Sequence, residues 1–228
     1  MTAPRPQRRY RLDFRRLLVA ERPRSVLDVG CGTGSLIRWL QEGGIAAEGV
    51  EADAGFVEQL RADGYVAHQV DGERLPFADD AFDIVASEFT AHHFAHPTVH
   101  LAEALRVAKL AVWLLDAWYD TSVESQRRTL RWDSWCKRID RRQGKVHNEV
   151  LSAADFLAAL PGVAPERVEF RHWLHLAPID LAWFDDETAA HLDAAAPAER
   201  DELVEIRREL IEHGMTDDGA IVVRIDCG

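Results

Sequence analysis

Short apolar runs alternate with amphipathic stretches along the first half of the chain. The apolar runs predict strands at 25–29, 46–51, 66–70, 82–87 and 111–116. Because helical segments separate these strands, we expect a parallel sheet with helices on both faces. Two later apolar runs, at 168–176 and 220–226, predict two further strands. The pattern therefore indicates an α/β fold.

Two segments are additional to the strands and connecting helices of such a sheet, namely residues 117–150 and residues 178–218. The second contains an amphipathic helix near Pro197 to His213, and most of the seven tryptophans follow residue 112. The apolar positions expected on one face of that helix are Leu203, Ile206, Leu210 and Ile211. We predict a helical cap that suits an apolar or aromatic small molecule. The alternative is that these aromatic residues only pack the added helices.

The N-terminal residues 1–24 are rich in arginine and contain a predicted helix from Gln7 to Ala20. Apolar side chains recur at helical spacing in this helix, at Tyr10, Phe14, Leu17 and Leu18. We therefore expect one face of the helix to pack against another part of the protein. The arginines form either a solvated face or part of a lid helix over a cofactor or an anionic substrate.

Composition narrows the class of protein. The 228 residues, 47% of them hydrophobic, suffice for one globular domain over 1–228, which we expect to be a monomer or a homodimer. We predict neither a membrane span nor a secretory signal. Three cysteines without a CxxC motif (Cys31, Cys136 and Cys227) predict reduced thiols and a cytoplasmic location. The net charge of −12 argues against a nucleic-acid partner.

The most informative stretch joins the first strand to a helix, and its sequence is Leu27-Asp28-Val29-Gly30-Cys31-Gly32-Thr33-Gly34-Ser35. Glycines at alternate positions lack Cβ atoms, so a ligand can lie against the backbone. A dinucleotide turn of the G-x-G-x-x-G type would need glycine where the chain has Ser35. Glu51 ends the second strand, where a carboxylate would hold a ribose diol.

The D-x-G-x-G-x-G run resembles motif I of class I S-adenosylmethionine (SAM) methyltransferases. Three later pieces resemble the small-molecule branch of ubiquinone/menaquinone-biosynthesis-type methyltransferases: Leu75-Pro76-Phe77, Phe82-Asp83-Ile84-Val85 and Leu101-Ala102-Glu103-Ala104-Leu105-Arg106-Val107. The resemblance covers roughly residues 22–118. The family's Lys-Pro-Gly-Gly turn before the fifth strand is missing, so we expect a shortened turn there with a structural consequence only.

This resemblance implies a Rossmann-like, seven-stranded, mostly parallel sheet with helices on both faces, completed by an antiparallel pair, and a helical cap. It implies SAM as the cofactor, bound at the carboxyl ends of the first four strands. Asp28 would contact its amino acid moiety and Asp71 its adenine amino group. The candidate cofactor-binding residues are Asp28, Gly30, Cys31, Gly32, Gly34, Glu51, Ala52, Asp71, Gly72, Ser87 and Glu88.

The candidate catalytic residues are His92, His93 and Tyr119. The sulfonium of SAM already activates the methyl group, so the protein must mainly align the acceptor in a dry pocket. A hydroxyl or amine acceptor would also need a general base, and imidazole titrates in the right range. His92 or His93 would be that base, or would only pack or cap a helix, and Asp116 is a further candidate.

We expect no metal site. The four histidines between residues 92 and 100 lack partners in a metal-binding pattern, and we expect the adjacent His92 and His93 to point apart. His172 and His175, in a predicted strand, would lie on opposite faces.

The sequence thus predicts a methyltransferase that moves a methyl group from SAM to a small, apolar or aromatic acceptor by in-line displacement. The alternative is a SAM-binding protein of the same fold with a non-methylating catalytic or regulatory role. A nicotinamide-dependent oxidoreductase is disfavoured by Ser35 and by the lack of a Tyr-x-x-x-Lys pair.

Overall fold

The computed structural model describes residues 9–228, and its central element is a seven-stranded sheet. The strands are β1 Ser25–Val29, β2 Ala46–Glu51, β3 Ala67–Gln69, β4 Phe82–Glu88, β5 Ala108–Trp118, β6 Val168–Trp173 and β7 Gly219–Asp226. They lie in the order β3-β2-β1-β4-β5-β7-β6, and the pairs from β3 to β5 are parallel. The chain order reverses between β1 and β4, and ligands bind at such switch points in open α/β sheets.

The sheet is mixed, because β7 runs antiparallel to β5. Gly219, the first residue of β7, lies beside the backbone of Trp118, the last residue of β5. At the opposite end, the N–H of Cys227 donates to the carbonyl oxygen of Leu110 at 2.9 Å. This seven-stranded, mostly parallel sheet confirms the predicted fold class.

Helices connect and flank the strands. Their bounds are α1 Arg9–Ala20, α2 Ser35–Glu42, α3 Ala54–Ala62, α4 Pro97–Val107, α5 Glu124–Arg142, α6 Ala153–Ala158, α7 Leu181–Leu192 and α8 Pro197–His213, with 3-10 turns at Ala91–His93 and Pro165–Arg167. Helix α2 buries Leu36, Ile37 and Leu40, the spacing of a helix with one apolar face. Among residues 9–228, no helix has the length and apolar character needed to cross a bilayer.

The chain divides into two compact units. The sheet unit contains residues 10–116, 151–171 and 221–228. The helical unit contains, among the described residues, residue 9 and the segments 117–150 and 172–220. Both predicted cap segments, 117–150 and 178–218, thus fall in the helical unit.

Each unit has its own buried core. In the sheet unit, Leu27 on β1 and Ile84 on β4 are fully buried. In the helical unit, Trp135, Phe184 and Ile206 belong to one cluster formed by α5, α7 and α8. The single domain over 1–228 with a lid at 1–24 stays a prediction, and residues 1–8 of that lid lie outside the described residues.

Two details of the predicted elements are wrong. The predicted strand 168–176 ends at Trp173, and Leu174 and Leu176, which follow it, are both about half exposed. His175 therefore lies outside the strand, and the opposite-face argument for His172 and His175 does not apply. On α8, Ile211 is 58% exposed, since it lies about 100° around the helix from the buried Leu210.

The shortened turn before the fifth strand is confirmed. Helix α4 ends at Val107 and β5 begins at the next residue. Arg106 at this junction donates to the carbonyl oxygens of Leu75 (3.0 Å) and Phe77 (2.7 Å). This arginine thus fixes the Leu-Pro-Phe segment against the end of α4.

Candidate cofactor site and active site

The glycine turn between β1 and α2 has three residues in the left-handed region, which favours glycine. Gly30, Gly32 and Gly34 have φ angles of +72°, +48° and +76°. A side chain at Gly30 would overlap Thr90 and one at Gly34 would overlap Leu60, whereas a Cβ at Gly32 would meet no atom of residues 9–228 within 4 Å. Packing within the protein therefore requires Gly30 and Gly34, and the open face that a ligand could use is at Gly32.

Glu51, at the end of β2, holds this turn in place. Its Oε2 accepts a hydrogen bond from the N–H of Gly32 at 2.9 Å. Its Oε1 accepts from the N–H groups of Ala52 at 2.9 Å and Asp53 at 3.1 Å. The carboxylate thus joins the carboxyl ends of β1 and β2 through three backbone hydrogen bonds.

Cys31 lies in the turn but turns its side chain toward β2. The residue is 8% exposed, and a Cβ at Gly49 would lie 2.5 Å from its Sγ. Burial, reinforced by the charges of Asp28 and Glu51, raises the pKa of the Cys31 thiol well above its usual range. Cys31 therefore presents its backbone, and not a reactive thiolate, to the turn.

Asp28 is buried on β1 at 2% exposure. Burial raises the pKa of its carboxyl well above the usual value, and the negative charges of Glu88 and Glu51 raise it further. Arg15 and Arg11 oppose this shift. The carboxylates at the ends of β2 and β4 thus raise the cost of ionising Asp28, which a bound cation would relieve.

The end of β4 contains a buried ion pair and an unsatisfied hydroxyl. Arg15 of α1 binds the carboxylate of Glu88 through two hydrogen bonds, of 2.7 and 2.8 Å, and donates to Ser35 Oγ at 2.9 Å. The preceding residue, Ser87, is 1% exposed, and its Oγ has no hydrogen-bond partner among residues 9–228. Glu88 is therefore engaged by α1, whereas Ser87 offers a polar atom that a ligand could satisfy.

Asp71 and Gly72 follow β3. Asp71 is exposed, and its Oδ1 accepts from the N–H of Glu73 at 2.9 Å. Gly72 is buried, and a side chain there would overlap Phe94 and crowd Val29. Gly72 is thus needed for packing, and Asp71 keeps an accessible carboxylate at the surface of the sheet unit.

His92 lies in the 3-10 turn after β4 and is 8% exposed. Its Nδ1 lies 2.6 Å from Oδ1 of the fully buried Asp116 on β5, and its backbone N–H donates to the other oxygen at 3.2 Å. The ring of the exposed His93 has its centroid 4.2 Å from that of His92. The expectation that the two rings point apart is wrong, because the tight turn places them side by side.

Tyr119 belongs to the helical unit, whereas His92 and His93 belong to the sheet unit. It is 9% exposed and lines a cavity of that unit.

Sequence reasoning missed two residues of the site, Arg15 and Thr90. Arg15 is 5% exposed, whereas the sequence left the N-terminal arginines open between a solvated face and a lid helix. Its position beside Phe14 in the helix was the available signal. The hydroxyl of Thr90 donates to the carbonyl oxygens of Gly30 (3.3 Å) and Glu88 (3.1 Å), so Thr90 ties the glycine turn to β4.

Comparisons with known proteins show what this part of the chain is similar to. The methyltransferase domain family matches residues 27–115, which contain the glycine turn, Glu51 and His92. The uncharacterized methyltransferase YcgJ of Bacillus subtilis is 35% identical over 91 residues, which is 37% of this chain and 36% of YcgJ. The matched segment therefore spans well under half the length of such curated relatives.

Solved structures resemble the chain over nearly its whole length. The crystal structure of YcgJ has a TM-score of 0.61 at 20% identity and covers 94% of this chain and 98% of its own. A SAM-dependent methyltransferase from Archaeoglobus fulgidus has a TM-score of 0.56 at 16% identity, covering 95% of this chain and 93% of its own. Residues 27–115 are therefore similar in sequence to methyltransferase domains, and the chain shares the fold of these methyltransferase structures, as its sequence predicts.

Proposed function

We propose that the chain transfers a methyl group from SAM to a small-molecule acceptor. The observation that carries this proposal is the open face of Gly32, held by Glu51 beside the buried Asp28. The carboxylates here favour a ligand that carries positive charge, as the sulfonium and ammonium groups of SAM do. They disfavour a dinucleotide, whose phosphates are anionic.

Several residues of the sheet unit fit SAM. The unsatisfied Ser87 Oγ and the costly ionisation of Asp28 would both be relieved by a polar, cationic ligand. A carboxylate can accept about four hydrogen bonds, and the Glu51 carboxylate accepts three from backbone N–H groups. It could therefore accept one more, from a ribose hydroxyl. Asp71 would accept from the adenine amino group. The full proposed set is Asp28, Gly30, Cys31, Gly32, Gly34, Glu51, Ala52, Asp71, Gly72, Ser87 and Glu88.

On the acceptor side, we propose that His92 is the general base. Bound SAM would supply a methyl group already activated by its sulfonium, so the protein need only orient the acceptor and remove its proton. Asp116 fixes the His92 ring through Nδ1, which makes Nε2 the ring atom that would take the proton. The buried Asp116 carboxylate would stabilise the resulting imidazolium. His93 and Tyr119 are the other candidates for contact with the acceptor.

The charge and composition support the remaining proposals about partners. A net charge of −12 disfavours a nucleic-acid acceptor, and the cysteines suit a reducing, cytoplasmic location. A monomer or homodimer remains our proposal for the assembly.

The test combines ligand binding with turnover. Calorimetry of the purified chain should detect SAM and its demethylated product S-adenosylhomocysteine, but not NAD. Incubation with SAM and fractionated metabolites should yield S-adenosylhomocysteine together with a product heavier by one CH₂ group. Binding of NAD in place of SAM would contradict the proposal, and SAM binding without transfer to any fraction would favour the non-methylating alternative.

A further inference from the structure

The last strand of the sheet, β6, has an outer edge with which no other strand of the described chain pairs. The carbonyl oxygen of Trp173 lies against Gly219, and Arg167, just before the strand, donates to the carbonyl oxygen of Asp226 at 2.9 Å. Strand β6 therefore runs antiparallel to β7, its neighbour. Within the part of the chain that the structure describes, no backbone hydrogen bond from outside the sheet reaches residues 169–173. Alternate N–H and C=O groups of β6 thus point outward without a backbone partner.

The two edge strands of the sheet differ in how well they are protected against pairing. Natural proteins protect an exposed edge with a very short strand, with proline or with lysine. The edge strand β3 is only three residues long, which fits this rule. Strand β6 has six residues, Val168–Trp173, and contains neither proline nor lysine. The edge of β6 is therefore the one that suits a further strand.

Two opposite charges project from one face of β6. Arg171 and Glu169 are two residues apart, so they share a face, and their side chains are 50% and 53% exposed. Their guanidinium and carboxylate groups are 3.7 Å apart, and the Glu169 carboxylate is also 3.7 Å from the guanidinium of Arg224 on β7. Both distances exceed that of a hydrogen bond. Each side chain can therefore form a closer ion pair with a partner strand.

The sequence of β6 is complementary to itself in one antiparallel register. When the pair is centred on Phe170, Glu169 of each strand lies opposite Arg171 of the other, and Val168 lies opposite His172. The two Phe170 rings then meet on the other face of the strands, and aromatic cross-strand pairs are stabilising. A pair centred on Glu169 or on Arg171 would place two like charges opposite each other, which is destabilising. The charges therefore select the register centred on Phe170.

We propose that the edge of β6 binds a second copy of this chain, through antiparallel pairing of residues 168–172 centred on Phe170. The partner is a second copy because one strand supplies both charges of the two symmetric ion pairs. The pairing joins two sheets across a two-fold axis, and it uses the β6 edge of both copies, so assembly stops at the dimer. The interface does not depend on the proposed methyl transfer, and it stands even if the chain does not transfer methyl groups.

The first test is sedimentation equilibrium of the purified full chain over a range of concentrations. A pair of short strands makes a small interface, so we expect a dimer that dissociates on dilution, with a Kd below about 500 µM. Hydrogen exchange tests the interface without any substitution, because the amides of residues 168–172 should gain protection as the concentration rises through this Kd. A chain that stays monomeric at about 500 µM, or a dimer without this gain in protection, would overturn the proposal.

Two substitutions separate the edge of β6 from general surface charge. Arg171→Glu places like charges opposite each other twice in the dimer. Arg208→Glu on α8 changes the net charge equally and is the matched control, since the Arg208 side chain is 59% exposed and also pairs with a nearby glutamate, Glu205. We expect Arg171→Glu to weaken dimerisation at least about tenfold and Arg208→Glu to leave it within about twofold. Equal effects of the two substitutions would overturn β6 as the interface.

Mixing two variants tests the register. Glu169→Arg carries two arginines at the paired positions and Arg171→Glu carries two glutamates, so each variant should dimerise poorly with itself. In the mixture, every arginine lies opposite a glutamate. We expect the heterodimer to form at least about tenfold more tightly than either variant alone, and thermal melts confirm that both variants are folded. A mixture that associates no more tightly than its components would overturn the register centred on Phe170.

Discussion

Gly32 and Glu51 are joined by a hydrogen bond of 2.9 Å between a backbone N–H and a carboxylate oxygen. The bond connects Gly32, where an added Cβ would meet no atom of the described residues within 4 Å, to the carboxylate at the end of the neighbouring strand. The same carboxylate also accepts from Ala52 and Asp53. Hydrogen bonds within the protein thus hold the shape of the proposed cofactor site, and such preorganisation lowers the entropic cost of binding.

Gly32→Ala should weaken SAM binding at least about tenfold, because the added methyl group occupies the open face of the turn. Its φ of +48° adds a backbone strain of about 1–2 kcal/mol, so the protein should remain folded. Gly44→Ala is the matched control, since Gly44 has a φ of +80° and an added Cβ there would also meet no atom within 4 Å in the part of the chain that the structure describes. Calorimetry and thermal melts should show similar destabilisation in both variants and an affinity loss in Gly32→Ala alone. A similar affinity for SAM in the two variants would contradict the assignment of the turn.

Arg15→Met should destabilise the protein by about 2–4 kcal/mol, because it leaves the buried Glu88 carboxylate without its partner. Arg16→Met, one residue along the same helix, removes an exposed arginine and should cost less than about 0.5 kcal/mol. Urea denaturation measures both free energies of unfolding. Adding Glu88→Gln to Arg15→Met should restore part of the loss, and strictly additive effects would show that the pair is not coupled.

Asp28→Asn should stabilise the free protein at neutral pH and weaken SAM binding about ten- to a hundredfold. The pKa of Asp28 is raised by folding, so the wild-type carboxyl destabilises the folded state at any pH above that raised pKa. As the pH falls through the raised pKa, the wild type takes up its proton and regains this stability. Urea denaturation should therefore show a stability difference at neutral pH that shrinks in acid. A difference that grows in acid would contradict the raised pKa.

The local elements of the site were predictable because short stretches of sequence encode them. The glycine turn follows from alternate glycines after an apolar strand, and α8 has its predicted bounds at Pro197 and His213. The parallel order of β1 to β5 follows from the alternation of strands and helices.

The side-chain contacts of the site that the sequence did not predict join residues that are far apart in the chain. Arg15 and Glu88 are separated by 73 residues, and nothing in either neighbourhood indicates that the two are buried together. His92 and His93 were expected to point apart, but they lie in a 3-10 turn, whose periodicity brings their rings side by side. The pairing of His92 with Asp116 likewise depends on β4 and β5 being neighbours in the sheet.

His92→Gln should lower kcat about 10²- to 10⁴-fold for a hydroxyl or amine acceptor, while SAM affinity stays unchanged. Asp116→Asn should lower kcat and shift the pH profile of kcat, because in the proposed mechanism Asp116 would act by orienting His92. His96→Gln is the control, since the His96 side chain is 71% exposed. Steady-state assays across pH with the identified acceptor measure these effects. An unchanged kcat in His92→Gln would exclude His92 as the base.

His100 should make the protein less stable in acid. It is 1% exposed, stacks on Phe94 with ring centroids 3.7 Å apart, and its Nδ1 lies 3.0 Å from the carbonyl oxygen of Gly72. Burial lowers its pKa from 6.5 to about 4, so the unfolded chain binds a proton over a pH range in which the folded protein does not. Above the pKa of His100 in the unfolded chain, His100 therefore costs no stability. The free energy of unfolding falls as the pH drops from that value toward the lower pKa of His100 in the folded protein.

The loss attributable to His100 between about pH 7 and about pH 4.5 is about 2–3 kcal/mol. His100→Phe keeps an aromatic ring against Phe94 but cannot titrate, so its stability should fall less over this interval, although it starts lower because the Gly72 carbonyl loses a partner. Urea denaturation at the two pH values measures the difference. His213→Gln, which removes a histidine with a 57% exposed side chain, should keep the slope of the wild type. Parallel slopes for wild type and His100→Phe would show that His100 is protonated alike in the folded and unfolded states.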